Sequence, residues 1–200
     1  TLVSNTAIAV HPDVDYVAAR TKETEDVKSE VLVVAEPLLS VLGDGYEVIK
    51  KMKGSDLERT SYARPFDYVE IPDSHFVILA DYVTTEDGTG LVHQSPAFGA
   101  DDLASCRRYN LPVINPILPN GHFEESVQLV GGLFFKEADK PLVKELKSSG
   151  RLYRHQQYEH TYPHCWRCHT PLIYYAQPSW YIRTTKIKDA LLRENAATDW

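Results

Sequence analysis

The stretch Gly88–Asp102, GTGLVHQSPAFGADD, is the one from which the architecture is read. Leu91-Val92 is an apolar pair of the kind that forms a short buried strand. Ser95-Pro96 imposes a turn. Gly99 then precedes Ala100-Asp101-Asp102-Leu103, where two acids suit the positive end of a helix dipole. Strand, tight turn and helix start predict that His93 and Asp102 share one rim, beside backbone N–H groups able to meet a polar ligand. By residue type alone, His93 also fits a satisfied core position and the acids fit a helix cap.

Upstream, Thr6–Val10, Tyr16–Arg20, Val31–Ala35 and Tyr46–Met52 alternate or cluster as strands do, and His11-Pro12-Asp13 turns the chain between the first two. The charged run TKETEDVKSE predicts a solvated hairpin tip. Pro37–Leu42 predicts a short helix ended by glycine. Arg59–Pro72 carries two prolines and little periodicity and reads as a loop, followed by a strand over His75–Ala80. Downstream, Asp101–Tyr109 predicts a helix with Leu103, Ala104 and Cys106 inward. Asn120-Gly121 predicts a turn. Phe135–Ser149 predicts an amphipathic helix with Leu142, Val143 and Leu146 on one face, ended at Gly150. Leu152–His160 and Ile173–Ala176 read as strands, and Thr184–Asn195 as a helix. Many short strands with few helices predict an α+β fold with a β-barrel-like core and helices packed outside. Regular βαβ alternation, a GxGxxG fingerprint and a P-loop are all missing, which argues against a doubly wound nucleotide-binding fold.

The 200 residues are 43% hydrophobic and 24% charged, enough for a real core, and the net charge of −7 excludes a generic polyanion binder. No apolar run approaches the roughly 18 residues of a membrane span, and no export signal is recognisable. The chain opens without methionine inside a strand-like run, which predicts a piece of a longer protein. Cys165 and Cys168 form a C-x-x-C flanked by His164 and His169, a spacing that lets two thiolates face one zinc ion. Three outcomes stay open: a half-site completed outside this stretch, completion by the adjacent histidines, or no metal. Arg107, Arg108, Lys144, Lys147, Arg151 and Arg154, with Tyr153 interleaved, suit a nucleic-acid backbone, although charged helix faces are usually only solvated.

Three stretches in this order, TLVSNTAIAVHPD, GTGLVHQSPAFGADD and YEHTYPHCWRCHTPLIYYAQPSW, resemble the editing domain of isoleucyl-tRNA synthetase, the connective insertion of that enzyme's catalytic domain. Pro96-Ala97-Phe98-Gly99 followed by an acidic pair sets the likeness apart from the valyl and leucyl relatives. The resemblance implies a β-barrel hydrolase domain over 1–178, with 179–200 starting the return into the catalytic domain. It implies hydrolysis of mischarged valine from the tRNA for isoleucine, and of the valyl-adenylate, in the cytoplasm. It further implies tRNA and the rest of the synthetase as partners, a monomer, no membrane, and no cofactor for editing. Asp102 resembles the carboxylate that holds the substrate α-ammonium. His93 resembles the residue whose bulk admits valine and resists isoleucine. Thr1 and Asn5 match the end of a threonine-rich strand lining the attack site, with Val3 where the family usually has proline. Phe98 is assigned to substrate binding and Tyr162 to the terminal adenosine. HIGH and KMSKS, the aminoacylation signatures, are absent. The rival from another class is a non-catalytic zinc-binding module that docks tRNA, resting on the C-x-x-C and the basic residues.

Overall fold

The computed structural model describes residues 1–23, 29–156 and 161–199. Two three-stranded sheets organise it. In the first, β1 (Ala7–Val10) lies between β5 (Phe76–Leu79), to which it is parallel, and β6 (Leu91–Gln94), to which it is antiparallel. In the second, β2 (Asp15–Thr21) lies between β3 (Val31–Ala35) and β4 (Tyr46–Lys53), antiparallel to both, with a bulge at Ala18/Ala19. The α+β reading holds. Among the described residues neither sheet closes on itself, so the barrel-like core takes the form of two open sheets around shared apolar residues.

The sharing is visible in one side chain. Tyr16, fully buried on β2, packs with Val10 of β1, Ala35 of β3 and Val77 of β5. Its hydroxyl donates to Gly90 O at 2.6 Å and accepts from His11 N at 3.1 Å. Ala35 N donates to Thr89 O at 2.9 Å, a second tie from the outer sheet to the entry of β6. The approach is so close that a Cβ on Gly90 would stand 2.4 Å from that of Ala35, and Gly90 has φ 75° besides.

Three α-helices follow: α1 (Ala100–Arg108), α2 (Asp139–Ser148) and α3 (Lys188–Ala196). The α1 boundary matches the acidic start after Gly99, but the inward face is Ser105 and Cys106. Leu103 is only half-buried and Ala104 is exposed, because the helix rotates its small polar serine toward the sheet. The α2 helix starts at Asp139, later than the apolar pattern suggested. Phe135 instead packs at the edge of a core of Val3, Phe66, Phe123, Val130, Leu142 and Leu146, and Pro141 falls in the helix's first turn, where proline is tolerated. Thr184–Lys186 is a 3₁₀ turn that precedes α3.

Two strand expectations fail. After α2, Arg151 N and Leu152 N both donate to Leu146 O, at 2.9 and 3.1 Å, so these residues cap the helix rather than join a ladder. Residues 153–156 join no strand, and residues 157–160 of that stretch lie outside the described residues, as do residues 24–28 of the charged hairpin tip. Ile173–Ala176 forms no strand either. Pro171 and Pro178 bracket it, and Ala176 N donating to Ala97 O at 2.6 Å is its tie to the body. Trp180, Tyr181 and Ile182 beyond it are exposed. Among the described residues no helix is long and apolar enough to cross a membrane.

Candidate active site

The site grows from the register of the small sheet. Ile8 pairs with His93 and Ala7 with Gln94, and Thr6 N extends the ladder to Gln94 O at 2.9 Å. That register brings Asn5, just before β1, beside His93 on β6. Asn5 Nδ2 lies 2.7 Å from His93 Nδ1 and 3.1 Å from Ala7 O. Asn5 Oδ1 accepts from the Tyr62 hydroxyl at 2.5 Å, and the Asn5 carbonyl accepts from His75 Nε2 at 3.1 Å. His93 as a residue is half-buried, yet its Nε2 is enclosed and has no hydrogen-bond partner in the protein. Burial pushes the His93 imidazolium down to about 4. The ring is therefore neutral at physiological pH. Burial likewise raises Tyr62, so its phenol stays protonated.

Two recesses flank the 3₁₀ turn Leu2–Ser4. One is lined by Leu2, Asn5, Tyr62, Leu91, His93 and Arg151. The other is lined by Thr1, Val3, Phe98, Lys136, Asp139 and Tyr162. Leu2 and Asn5 face the first, while Thr1, Val3 and Ser4 face the second. Lys136 Nζ sits 3.9 Å from the Tyr162 ring centroid, a cation–π contact, and Tyr162 donates its hydroxyl to Leu172 O at 2.7 Å. Of the residues expected from sequence, Asn5 and His93 thus meet directly. Thr1, Phe98 and Tyr162 gather in the neighbouring recess.

Asp102 lies on the first turn of α1 and touches neither group. Its Oδ2 accepts from Ser95 N at 2.8 Å, which pins the Ser95-Pro96 turn. One backbone N–H expected to be available at this rim is therefore taken. Burial raises the Asp102 carboxyl, and the bond from Ser95 N opposes that shift. A Cβ on Gly99 would lie 2.8 Å from Asp102 Oδ1, so the glycine leaves that oxygen approachable from its side. Ser95 Oγ and Ser4 Oγ are hydrogen-bonded at 2.8 Å and tie the turn to the 3₁₀ segment. Cys106 is buried, with its thiol pushed up to about 12, and is no nucleophile.

Tyr62 and His75 were not legible as site residues, and Arg151 was legible only as a cation for a nucleic-acid backbone. Arg151 Nη1 donates to Arg64 O and Pro65 O, at 3.2 and 2.7 Å, so this member of the basic group holds a loop in place. Arg108 similarly reaches Leu79 O at 3.3 Å.

Cys165 and Cys168 lie on a tight turn. Cys165 N donates to Thr170 O at 2.9 Å, His169 N donates to Cys165 O at 2.8 Å, and His169 has φ 57°. Hydrogen bonds from Thr170 and from Cys165 bring the Cys168 thiol down to about 7, which favours the thiolate that a metal requires. Among the described residues no group of three or more His, Cys, Asp or Glu side chains converges on one point.

The fold is similar to that of a solved CP1 domain. It superposes on the CP1 domain GlLeuRS-CP1, of a leucyl-tRNA synthetase, with a TM-score of 0.57 over 79% of this chain and 80% of that one, at 17% identity. No protein-family model matches the chain. In sequence it is 62% identical to the isoleucine–tRNA ligases of Streptomyces coelicolor and Thermobifida fusca, and 43% identical to that of Thermus thermophilus, in each case over the whole chain. Along its whole length the chain matches isoleucine–tRNA ligases. It spans about a fifth of those relatives, 19% for the first two and 18% for the third.

Proposed function

We propose that this chain is the editing domain of an isoleucine–tRNA ligase and hydrolyses the ester that joins mischarged valine to the tRNA for isoleucine. What carries the reading is the match to these ligases along the whole chain, on a CP1 fold that brings Asn5 and His93 together. Editing is needed because one methylene is worth only about 1–3 kcal/mol of discrimination, for which isoleucine against valine in this enzyme family is the standard example.

The chemistry needs little from the protein beyond placement. An ester carbonyl is already electrophilic, and holding water and substrate in register supplies much of the acceleration. Asp102 Oδ1, open on the Gly99 side, receives the substrate α-ammonium. The rigid ring of His93 borders the pocket and excludes the larger side chain. Thr1, Phe98 and Tyr162 hold the adenosine end in the adjoining recess, and the same positions serve the valyl-adenylate. Residues 1–178 make up this domain, and 179–200 lead back toward the catalytic domain. The working protein is a cytoplasmic monomer whose partners are tRNA and the rest of the ligase. Zinc takes no part in the hydrolysis. Cys165 and Cys168 supply two thiolates of a structural zinc site completed elsewhere in the ligase, where the ion would fix the turn they share.

The test is Asp102→Ala in the complete ligase. Deacylation of Val-tRNA should fall more than tenfold, since losing the partner of a buried charge costs about 2–5 kcal/mol, while aminoacylation with isoleucine is retained. Undiminished deacylation would remove Asp102 from the site.

A further inference from the structure

The hydrogen bonds around Asn5 decide which nitrogen of His93 carries the proton. The Ala7 carbonyl can only accept, and Asn5 presents an amide atom to it at 3.1 Å. That atom must be the NH₂, because an oxygen there would face another oxygen. The amide oxygen then faces the Tyr62 hydroxyl at 2.5 Å, which donates to it. The same NH₂ lies 2.7 Å from His93 Nδ1. An NH₂ has no lone pair to offer, so Nδ1 is the acceptor and bears no hydrogen. A neutral imidazole keeps one N–H, and it must be on Nε2.

We propose that Asn5, held between the Tyr62 hydroxyl and the Ala7 carbonyl, fixes His93 as its Nε2–H tautomer, so that His93 serves the site as a hydrogen-bond donor. Asn5 and Tyr62 are positioning residues, acting through the ring. Nε2 is enclosed and has no acceptor in the protein, and a buried donor left unpaired is unfavourable. An oxygen with a lone pair would satisfy it once its enclosure opens. On the editing reading, that oxygen is the ester carbonyl or a ribose hydroxyl. No proton moves to His93: a nitrogen that already carries hydrogen cannot take one from the attacking water. This removes general-base chemistry from the residue and leaves it to shape the pocket and orient the substrate.

The tautomer can be read without any substrate, by long-range ¹H–¹⁵N correlation of the imidazole in ¹⁵N-labelled chain at pH 7. This keeps the outcome separate from that of the editing assay. Wild type should show Nδ1 as the unprotonated nitrogen and Nε2 as the protonated one. The opposite pattern overturns the proposal. In Asn5→Asp a carboxylate, which can only accept, replaces the donor, and the pattern should invert. Retention of the Nε2–H pattern there also overturns it. Tyr62→Phe removes one of the two anchors of the amide, and both nitrogen shifts should move toward the average of the two tautomers. Unchanged shifts in that variant would mean that Ala7 alone orients the amide, and would overturn the role of Tyr62.

Discussion

His93 should make the domain acid-labile, by an amount that follows from its surroundings. In the unfolded chain its imidazole titrates near 6.5; in the fold, enclosure of the ring brings this down to about 4. Between these values the unfolded state binds a proton that the folded state refuses. Stability therefore rises with pH across this window and is lost as pH falls through it. Complete loss corresponds to about 2.5 pH units at about 1.4 kcal/mol each, on the order of 3 kcal/mol. At pH 5 most of the unfolded histidine is already protonated and little of the folded, so about 2 kcal/mol of this is gone. The assay is urea unfolding of wild type and His93→Gln at pH 7 and pH 5. Glutamine keeps a polar side chain of similar reach and does not titrate. His75 is also lowered, by its own burial and by Arg64 nearby, but it is common to both proteins and cancels in the comparison. Wild type should lose about 2 kcal/mol more than the variant on acidification. Equal losses would refute the claim that His93 is held neutral by its enclosure.

Tyr16→Phe removes a hydroxyl with a partner in each direction, Gly90 O and His11 N. It should destabilise the fold by about 1–3 kcal/mol, read as a lower urea midpoint with an unchanged slope; a midpoint equal to wild type's would mean that the hydroxyl is not the tie between the sheets. For Cys165 and Cys168, the chain alone should hold zinc weakly and surrender it to a mild chelator, whereas the complete ligase should retain it until either cysteine is changed to serine. One tightly held zinc per isolated chain would instead favour ligation by His164 or His169.

Much of this was legible because local chemistry and tertiary structure agree. Leu91-Val92, the Ser95-Pro96 turn and the acids after Gly99 each announce their conformation within a few residues, and the strand, turn and α1 follow. His93 was named from its own stretch and Asn5 from the resemblance, and the antiparallel β1–β6 register explains why they meet. What sequence does not reveal is pairing across long separations. The parallel alignment of Ala7 with Phe76 leaves no periodic trace in either strand. Tyr62 stands in a proline-bearing loop without alternation, and only its reach to Asn5 gives it a role. Ile173–Ala176 looks like a strand because it is apolar and aromatic, but no ladder receives it. Arg151 reads as a phosphate-binding cation until its guanidinium is seen on two carbonyls.

The separation of the site residues also governs when the site exists. Asn5 meets Tyr62 across 57 positions and His93 across 88. Each closure carries an entropic penalty that only the assembled sheets offset, so no short segment of the chain can hold this geometry in advance. During synthesis the pocket cannot begin to form before residue 93 has emerged, and it then arrives together with the β1–β6 pairing rather than piecemeal. On the editing reading, a partly folded domain would be inert rather than an editor of relaxed selectivity. The unusual titration of His93 becomes a marker of cooperative folding for the whole unit.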